Sequence, residues 1–229
     1  MTSRCFISFF KPIAGGCLLL AALAVKVNAA VLEGVVTDQS GAPLANAVVT
    51  VTPADGRTPA PDPAPAVALL DQRNREFVPH VLVIHSGTDV KFPNNDNIRH
   101  HVYSFSPAKR FEIKLYKGVP PDPVKFGAPG VAVLGCNIHD WMISYVYVTD
   151  APYFTKTDET GRWLLNVPEN SYRIGFWHPY QADSAAVEAE PVTAGREKAV
   201  INRTLTIKPT TRTGKPLVSQ QAEGYKGEP

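Results

Sequence analysis

Three kinds of metal-binding side chain lie within one short segment, Cys136-Asn137-Ile138-His139-Asp140-Trp141-Met142. The other cysteines and the other methionine all precede residue 18, inside a predicted N-terminal targeting segment. Thiolate, imidazole and thioether are soft and borderline donors that select copper, and a mononuclear electron-transfer site combines them with a second imidazole. His100 and His101 are the upstream candidates for that imidazole. The pattern therefore predicts a copper-binding redox site.

The Cys-x-x-His-x-x-Met spacing suits a loop that closes around one ion. A strand that ends at Cys136 can aim its thiolate inward, and two intervening residues bring His139 round to the same point. Two more residues bring Met142 to an axial position. A zinc site would need further cysteines or histidines, and haem attachment would need a second cysteine just before the histidine. The remaining alternative is a buried free cysteine with ordinary surface histidines.

The elements that must position these residues are predicted to be strands. Apolar runs are short, rich in β-branched and aromatic residues, and bounded by Gly, Pro, Asn or Asp. Such runs occur near 31–37, 46–52, 77–84, 88–92, 100–106, 111–116, 131–135, 143–149, 162–167, 171–177 and 199–207. A helical period is not sustained in any window, and the best helical candidate is the short Ala/Glu stretch 184–190. We predict an all-β fold.

Residues 1–29 have the pattern of a signal peptide, with early cations, a short apolar run and small residues before a cleavage site. The apolar run is about half of the ~20 residues needed to cross a bilayer, so an uncleaved anchor is the weaker alternative. The expected location is periplasmic or secreted, without stable membrane insertion after cleavage. In such an oxidising compartment a lone thiol needs protection, which metal ligation provides.

The net charge gives no support for a nucleic-acid partner. Removing the signal peptide takes away three of the 23 Lys and Arg residues and none of the 21 Asp and Glu residues. The formal charge then moves from +2 to about −1, which is close to neutral.

The flanking segments 30–57 and 151–208 are predicted to form one small, split β-sandwich. Gly34-Val35-Val36-Thr37-Asp38 with Gly41-Ala42-Pro43-Leu44 resembles the opening of carboxypeptidase-regulatory-like (transthyretin-like) domains, and Thr157-Asp158-Glu159-Thr160-Gly161-Arg162-Trp163 resembles their later hairpin. Both stretches contain an Asp-x-x-Gly turn, in which Asp caps the turn and Gly supplies positive φ. Membership of one larger sandwich is the alternative.

Residues 66–150 would then be a second domain inserted into the first. Exposed loop tips tolerate such insertions. The proline-alternating stretch 58–65 predicts a stiff spacer between the two. The polar stretch 209–229 predicts a disordered tail.

The segment 75–150 resembles the cupredoxins, small blue-copper proteins such as plastocyanin and amicyanin. The resemblance lies in Val81-Leu82-Val83-Ile84, Gly87-Thr88-Asp89-Val90 and Phe92-Pro93-Asn94-Asn95-Asp96, followed by the short Cys-x-x-His-x-x-Met loop. It implies a Greek-key β-sandwich and a type-1-like copper site with His100, Cys136, His139 and Met142 as ligands. His100 is favoured over His101 because the family's first histidine usually follows the turn aspartate by four residues.

Two positions depart from the family pattern. His101 occupies a place that commonly holds Asn, whose side chain ties the two ligand loops together. His101 could supply that tie through a ring N–H, or it could replace His100 as a ligand; in a regular strand the two point to opposite faces. Leu134 stands where an aromatic residue is frequent. The colour and reduction potential of the site are therefore left open.

The remaining histidines are predicted to have structural positions. His80 and His85 flank an apolar strand and are expected at the surface or as caps, and His178 is expected to pack among aromatic residues. Trp141 could shield the metal or form part of a docking surface.

Electron transfer to a redox partner protein is the predicted function. The expected docking surface is the apolar rim of Ile138, Trp141 and Met142 around His139. The chain is not expected to be an enzyme, because six histidines cannot supply a trinuclear copper centre as well. A single-copper oxidase, a copper storage or delivery protein, and a non-redox binding module are the alternatives.

Overall fold

A computed structural model describes residues 29–57, 67–120, 122–183, 185–188 and 191–208. Its strands are, in chain order, β1 (Ala29–Asp38), β2 (Val48–Pro53), β3 (Val67–Leu69), β4 (Asp71–Arg73), β5 (Glu76–Val78), β6 (Val81–His85), β7 (Thr88–Lys91), β8 (His100–Ser106), β9 (Lys109–Tyr116), β10 (Val124–Phe126), β11 (Gly130–Gly135), β12 (Ile143–Thr149), β13 (Tyr153–Lys156), β14 (Arg162–Pro168), β15 (Asn170–Trp177), β16 (Val187–Glu188), β17 (Val192–Ala194), β18 (Ala199–Val200) and β19 (Arg203–Leu205).

The all-β prediction is confirmed, and the described residues contain no helix. The helical candidate at 184–190 is wrong in its described part, because Val187–Glu188 pairs with β15. A two-residue edge pairing is too short to leave an alternating apolar pattern in the sequence.

One sandwich encloses a core that draws on residues 68–148. Its larger sheet has the strand order β6-β12-β11-β8-β9, and the facing sheet has the order β10-β7-β3. Side chains alternate along each strand, so Val102, Leu134 and Val146 of the larger sheet point inward and meet Val90 and Phe126 of the smaller one.

A second core draws on the flanking stretches 30–51 and 163–205. One sheet has the order β14-β1-β18, with β19 also paired to β1. The other has the order β13-β2-β15-β16, with β17 also paired to β15. Leu32 and Trp163 of the first sheet face Val51, Ile174 and Phe176 of the second. The two cores thus use different stretches of the chain, while the division into separate domains stays a prediction.

Both predicted Asp-x-x-Gly turns form by the expected mechanism. The carboxylate of Asp38 accepts the amide N–H groups two and four residues ahead at 2.8 and 2.9 Å. The carboxylate of Asp158 does the same at 2.8 and 3.0 Å. Gly41 and Gly161 take φ values of 86° and 72°, which other residues adopt only with strain.

The two sandwiches meet along the β6–β12 side of the sheet β6-β12-β11-β8-β9. Val48, Val81 and Trp177 are buried together there, and the ring of Trp177 lies 5.1 Å from that of Tyr147. The ammonium of Lys156 donates to the carbonyl of Val81 at 2.5 Å, and burial lowers the pKa of this lysine. The contact is therefore both apolar and hydrogen-bonded.

Several predictions concern residues outside the described ranges: residues 1–28 of the signal peptide, the spacer 58–65 and the tail 209–229. Within the described part of the chain, no helix is long and apolar enough to span a membrane.

Candidate metal centre

Two neighbouring chain segments bring three ligand candidates together at one end of the first sandwich. His100 is the first residue of β8, and Cys136 follows the last residue of β11. His139 lies in the loop between β11 and β12, which pair antiparallel. One ligand atom from each of His100, Cys136 and His139 lies within 4.8 Å of the other two. The rings of the two histidines are 5.0 Å apart.

His100 is fully buried, and its two ring nitrogens have different surroundings. Nε2 lies 2.7 Å from the carboxylate of Asp96, whereas Nδ1 is buried without a hydrogen-bond partner among the described residues. Burial would lower the pKa of His100, but the nearby Cys136 sulfur and the Asp96 carboxylate outweigh it and raise the pKa. When Asp96 holds the ring proton on Nε2, Nδ1 is unprotonated and its electron pair is free to bind a metal ion.

Cys136 is a free, buried cysteine with an acidified thiol. Burial would raise its pKa, but His100 and the backbone N–H groups of His101 and Ile138 stabilise the thiolate, so the pKa is lowered. The thiolate is the form that binds metals. Its sulfur lies 3.9 Å from Nδ1 of His139.

His139 is half-buried and faces the loop surface beside Trp141, whose ring lies 5.0 Å away. Burial lowers the pKa of His139, and the nearby charges of His100 and Arg75 lower it further. Both effects favour the neutral imidazole, which is the metal-binding form. The adjacent Ile138 is 48% exposed, so an apolar residue marks the outer side of the loop.

Met142 closes the loop just before β12 begins. Its amide N–H donates to the carbonyl of His139 at 3.0 Å, and its side chain is buried in the same core as Cys136. Its role as the fourth ligand stays a prediction.

His101 lies outside the three-residue cluster. Its Nε2 is 3.0 Å from the carboxylate of Glu112 on the neighbouring strand β9. The pairing of β8 with β9 is irregular between His100 and Val102, and a β-bulge of this kind re-aims side chains next to functional sites. The ring of His101 therefore neither joins the cluster nor ties the ligand loops; only its backbone N–H reaches Cys136.

The two loops that carry the candidate ligands are joined by Asp96, Arg75 and Trp141, none of which was predicted to have this role. Asp96 accepts the backbone N–H groups of Asn74 and Arg75 at 2.6 and 2.8 Å, besides contacting His100. The carbonyl of Arg75 in turn accepts the indole N–H of Trp141 at 3.0 Å. The β4–β5 turn thus joins the His100 segment to the 136–142 loop.

The pKa of Asp96 reflects this position. Burial would raise the pKa, but the donors from Arg75, His100 and Asn74 lower it and keep the carboxylate ionised. The Asp-x-x-x-His spacing was a sequence signal for the contact between Asp96 and His100. The contacts of Arg75 had no such signal, because Arg75 takes part through its backbone alone.

The other histidines have structural surroundings. His178 is buried, with Nε2 3.2 Å from the carbonyl of Ala45, as expected for a packing residue. His80 was expected at a surface or cap, but it is partly buried between the carbonyl of Ile143 at 3.1 Å and the hydroxyl of Tyr180 at 3.0 Å. The ring of His85 contacts the ring of Phe154 edge-on, with the two ring centroids 4.8 Å apart.

The residues present fit a thiophilic metal. A buried thiol that favours ionisation, a half-buried neutral imidazole and an orphaned Nδ1 share one small volume. A buried polar atom without a partner is costly unless something binds it. One thiolate and two imidazoles form the trigonal donor set of mononuclear copper sites. These features define a candidate mononuclear metal centre at the end of an all-β sandwich.

Solved structures similar to part of this chain include cupredoxins and a copper-containing nitrite reductase. They include a purple cupredoxin from Nitrosopumilus maritimus, at 22% identity over 36% of this chain and 99% of that one, with a TM-score of 0.32. Amicyanin from Paracoccus versutus matches at 17% identity over 44% and 98%, with a TM-score of 0.32. A copper-containing nitrite reductase from Thermus scotoductus SA-01 matches at 23% identity over 51% and 28%, with a TM-score of 0.35. No protein-family model and no curated protein matches the chain.

Proposed function

We propose that this chain binds one copper ion and transfers single electrons. The observation that carries the proposal is the cluster of His100, Cys136 and His139, in which Nδ1 of His100 is buried without a hydrogen-bond partner among the described residues. Copper bound there would alternate between Cu(I) and Cu(II) and so store one electron.

The protein's own groups perform three tasks at such a site. The N–H groups of His101 and Ile138 hold the Cys136 thiolate in place. Asp96 keeps the proton of His100 on Nε2. The β4–β5 turn links the two ligand segments through Trp141. Preformed ligands reduce the rearrangement that accompanies a change of charge, which favours fast electron exchange.

The wider setting is also proposed. Residues 66–150 would form the copper domain, and 30–57 with 151–208 a carboxypeptidase-regulatory-like sandwich that holds it. We further propose a periplasmic or secreted carrier that is not an enzyme and that exchanges electrons with a redox partner protein near Ile138 and the half-buried His139.

The first test is the visible and EPR spectrum of the copper-loaded protein. A thiolate ligand produces an intense thiolate-to-copper absorption, which Cys136→Ser should abolish. His101→Gln is the matched control: it changes a histidine next to the site but outside the cluster, so it should keep the band. A colourless Cu(II) form of the parent protein contradicts the proposal.

A reversible one-electron potential separates electron transfer from copper storage or delivery. A carrier retains its ion in both oxidation states through repeated cycles. Rapid loss of Cu(I) to a chelator, without a stable potential, would favour delivery instead.

A further inference from the structure

The described part of the chain ends close to the loop between β11 and β12. The amide N–H of Lys208, the last described residue, donates to the carbonyl of Tyr180 at 2.8 Å. The hydroxyl of Tyr180 lies 3.0 Å from Nε2 of His80. His80 lines a cavity of about 200 Å³ together with Trp141 of that loop. The tail, residues 209–229, therefore starts near this cavity.

The surface around the cavity combines apolar groups with carboxylates. Phe77 and Trp141 line the cavity, and Ile138 of the same loop is 48% exposed. The exposed Glu76 also lines the cavity, and the exposed Asp140 directly precedes Trp141. A segment that carries both large apolar side chains and cations would complement this surface.

The tail begins with a segment of this composition. Residues 209–218 carry two cations, Arg212 and Lys215, and no carboxylate. The segment ends with Leu217 and Val218, which are its large apolar residues. The rest of the tail instead carries two carboxylates and one cation. An extended chain advances about 3.3 Å per residue, so the segment is long enough to span roughly 30 Å from its first residue.

We propose that residues 209–218 bind this surface of their own chain and cover the outer side of the loop between β11 and β12. The apolar end of the segment packs against Trp141 and Ile138. Its two cations lie next to the carboxylates of Glu76 and Asp140. A segment that is disordered by itself loses conformational entropy when it binds, which keeps the contact weak enough to be displaced.

The segment then competes with the redox partner. The surface near Ile138 and the half-buried His139 is also where the redox partner is proposed to bind. A partner must displace the segment before it can exchange an electron with the metal. This competition rests on the function proposed above, whereas the contact between the segment and the loop does not require a metal.

A detached segment is the competing arrangement. Arg75 is a cation close enough to His139 to lower the pKa of that imidazole, and it repels the two cations of the segment. Exposed ion pairs contribute little by themselves. The apolar end must therefore provide most of the attraction, so the apolar and charged parts need separate variants.

NMR of the isotope-labelled, metal-free full chain tests the apolar contact directly. Nuclear Overhauser effects should connect the methyl groups of Leu217 to the indole ring of Trp141. Leu217→Asp should remove these effects and shift the indole N–H signal. Ala222→Asp places the same charge later in the tail and should leave that signal unchanged. A parent chain without the Leu217–Trp141 effects, and with the same indole signal as both variants, overturns the proposal.

The charged part is tested by reversing the two cations. Arg212→Glu combined with Lys215→Glu should move the Trp141 indole signal towards its position in Leu217→Asp. Lys226→Glu is the matched control outside the segment and should not move it. An indole signal that ignores the double reversal overturns the pairing with carboxylates. A signal that depends on protein concentration overturns the assignment to the same chain.

Copper-loaded protein separates the contact from the competition. Hexaammineruthenium(II), which gives one electron to Cu(II), should reduce Leu217→Asp several-fold faster than Ala222→Asp, because only the first variant uncovers the loop. Equal rates, with the Leu217–Trp141 effects present in the parent, overturn the competition alone. A parent without the thiolate-to-copper band overturns the proposed function, while the NMR result still decides whether the segment binds.

Discussion

At the level of single residues, the centre is built on opposed shifts in acidity. Burial alone would raise the pKa of Cys136 and lower that of His100, but the two groups and their polar neighbours reverse both shifts, so the pKa of Cys136 is lowered and that of His100 is raised. A cation bound at this position would replace a proton and stabilise the thiolate in the same way.

Met142→Leu tests the predicted axial ligand. The two side chains have similar volume, so the fold should lose less than about 1.5 kcal/mol. If the thioether lies on the metal, its removal should keep the thiolate-to-copper band but change the reduction potential and the EPR signal, since axial ligands tune both. Voltammetry and EPR provide the measurement. Unchanged values would show that Met142 is only a core residue.

At the level of elements, strand ends and one bulge determine which side chains meet. Regular alternation predicts His100 and His101 on opposite faces, and the two do have different partners. The irregular pairing between His100 and Val102, however, leaves both histidines buried. Alternation is visible in a sequence, but a bulge depends on the partner strand and is not.

Asp96→Asn tests the tie between β4–β5 and β8. The amide should hold the N–H groups of Asn74 and Arg75 less strongly, which should lower the free energy of unfolding by about 1–3 kcal/mol. Copper affinity should fall by roughly 10- to 100-fold, as for other residues that orient a metal-binding histidine.

The ¹⁵N spectrum of the metal-free protein gives an independent measurement on Asp96. The parent should show His100 protonated on Nε2, and Asp96→Asn should shift the ring between tautomers. The matched control is Asp122→Asn, the same charge change at an exposed position. Equal effects of the two variants would contradict the positioning role of Asp96.

Long strands and the ligand loop could be predicted because their signals are local. Apolar alternation predicts β8, β11 and β12 nearly to the residue, and the Cys-x-x-His spacing predicts that Cys136 and His139 meet. Short strands such as Val67–Leu69 and Val124–Phe126 were missed, because three residues carry no period and form through pairing with distant β7. The Arg75 contact was unpredictable because a backbone carbonyl leaves no trace in the sequence.

At the level of the whole molecule, the interface between the sandwiches connects the flanking segments to the candidate metal centre. Trp177 packs on Tyr145 and Tyr147 of β12, the strand that follows the ligand loop. His80 bridges the carbonyl of Ile143, on that same strand, to Tyr180 of the flanking segment. The two sandwiches should therefore unfold as one cooperative unit.

Trp177→Ala should break that cooperativity. Removing a buried tryptophan typically costs about 3–5 kcal/mol. The loss of the copper band and the loss of far-UV signal should then occur at different temperatures, whereas in the parent they coincide. Leu164→Ala, at a 54% exposed position of the flanking sandwich, should leave both transitions together. Coincident transitions in Trp177→Ala would show that the interface does not couple the two parts.

His178 should make stability depend on pH. Burial lowers its pKa below the ordinary value of 6.5. As pH falls through that value, the unfolded chain binds a proton that the folded protein resists, so this contribution to stability decreases with falling pH. His178→Gln should have a smaller loss of unfolding free energy between about pH 7 and about pH 5, measured by urea titration of the metal-free protein. Parallel curves for parent and variant would contradict this prediction.

The pairing of β2 with β13 has a practical consequence for engineering. The chain leaves the flanking sandwich after Pro53 and returns at Tyr153, which lies opposite Val51 on the adjacent strand. Exit and re-entry are therefore hydrogen-bonded neighbours, so a tight hairpin turn could replace everything between them without stretching the framework. The same junction could accept a different inserted segment without disturbing the pairing of β2 with β13.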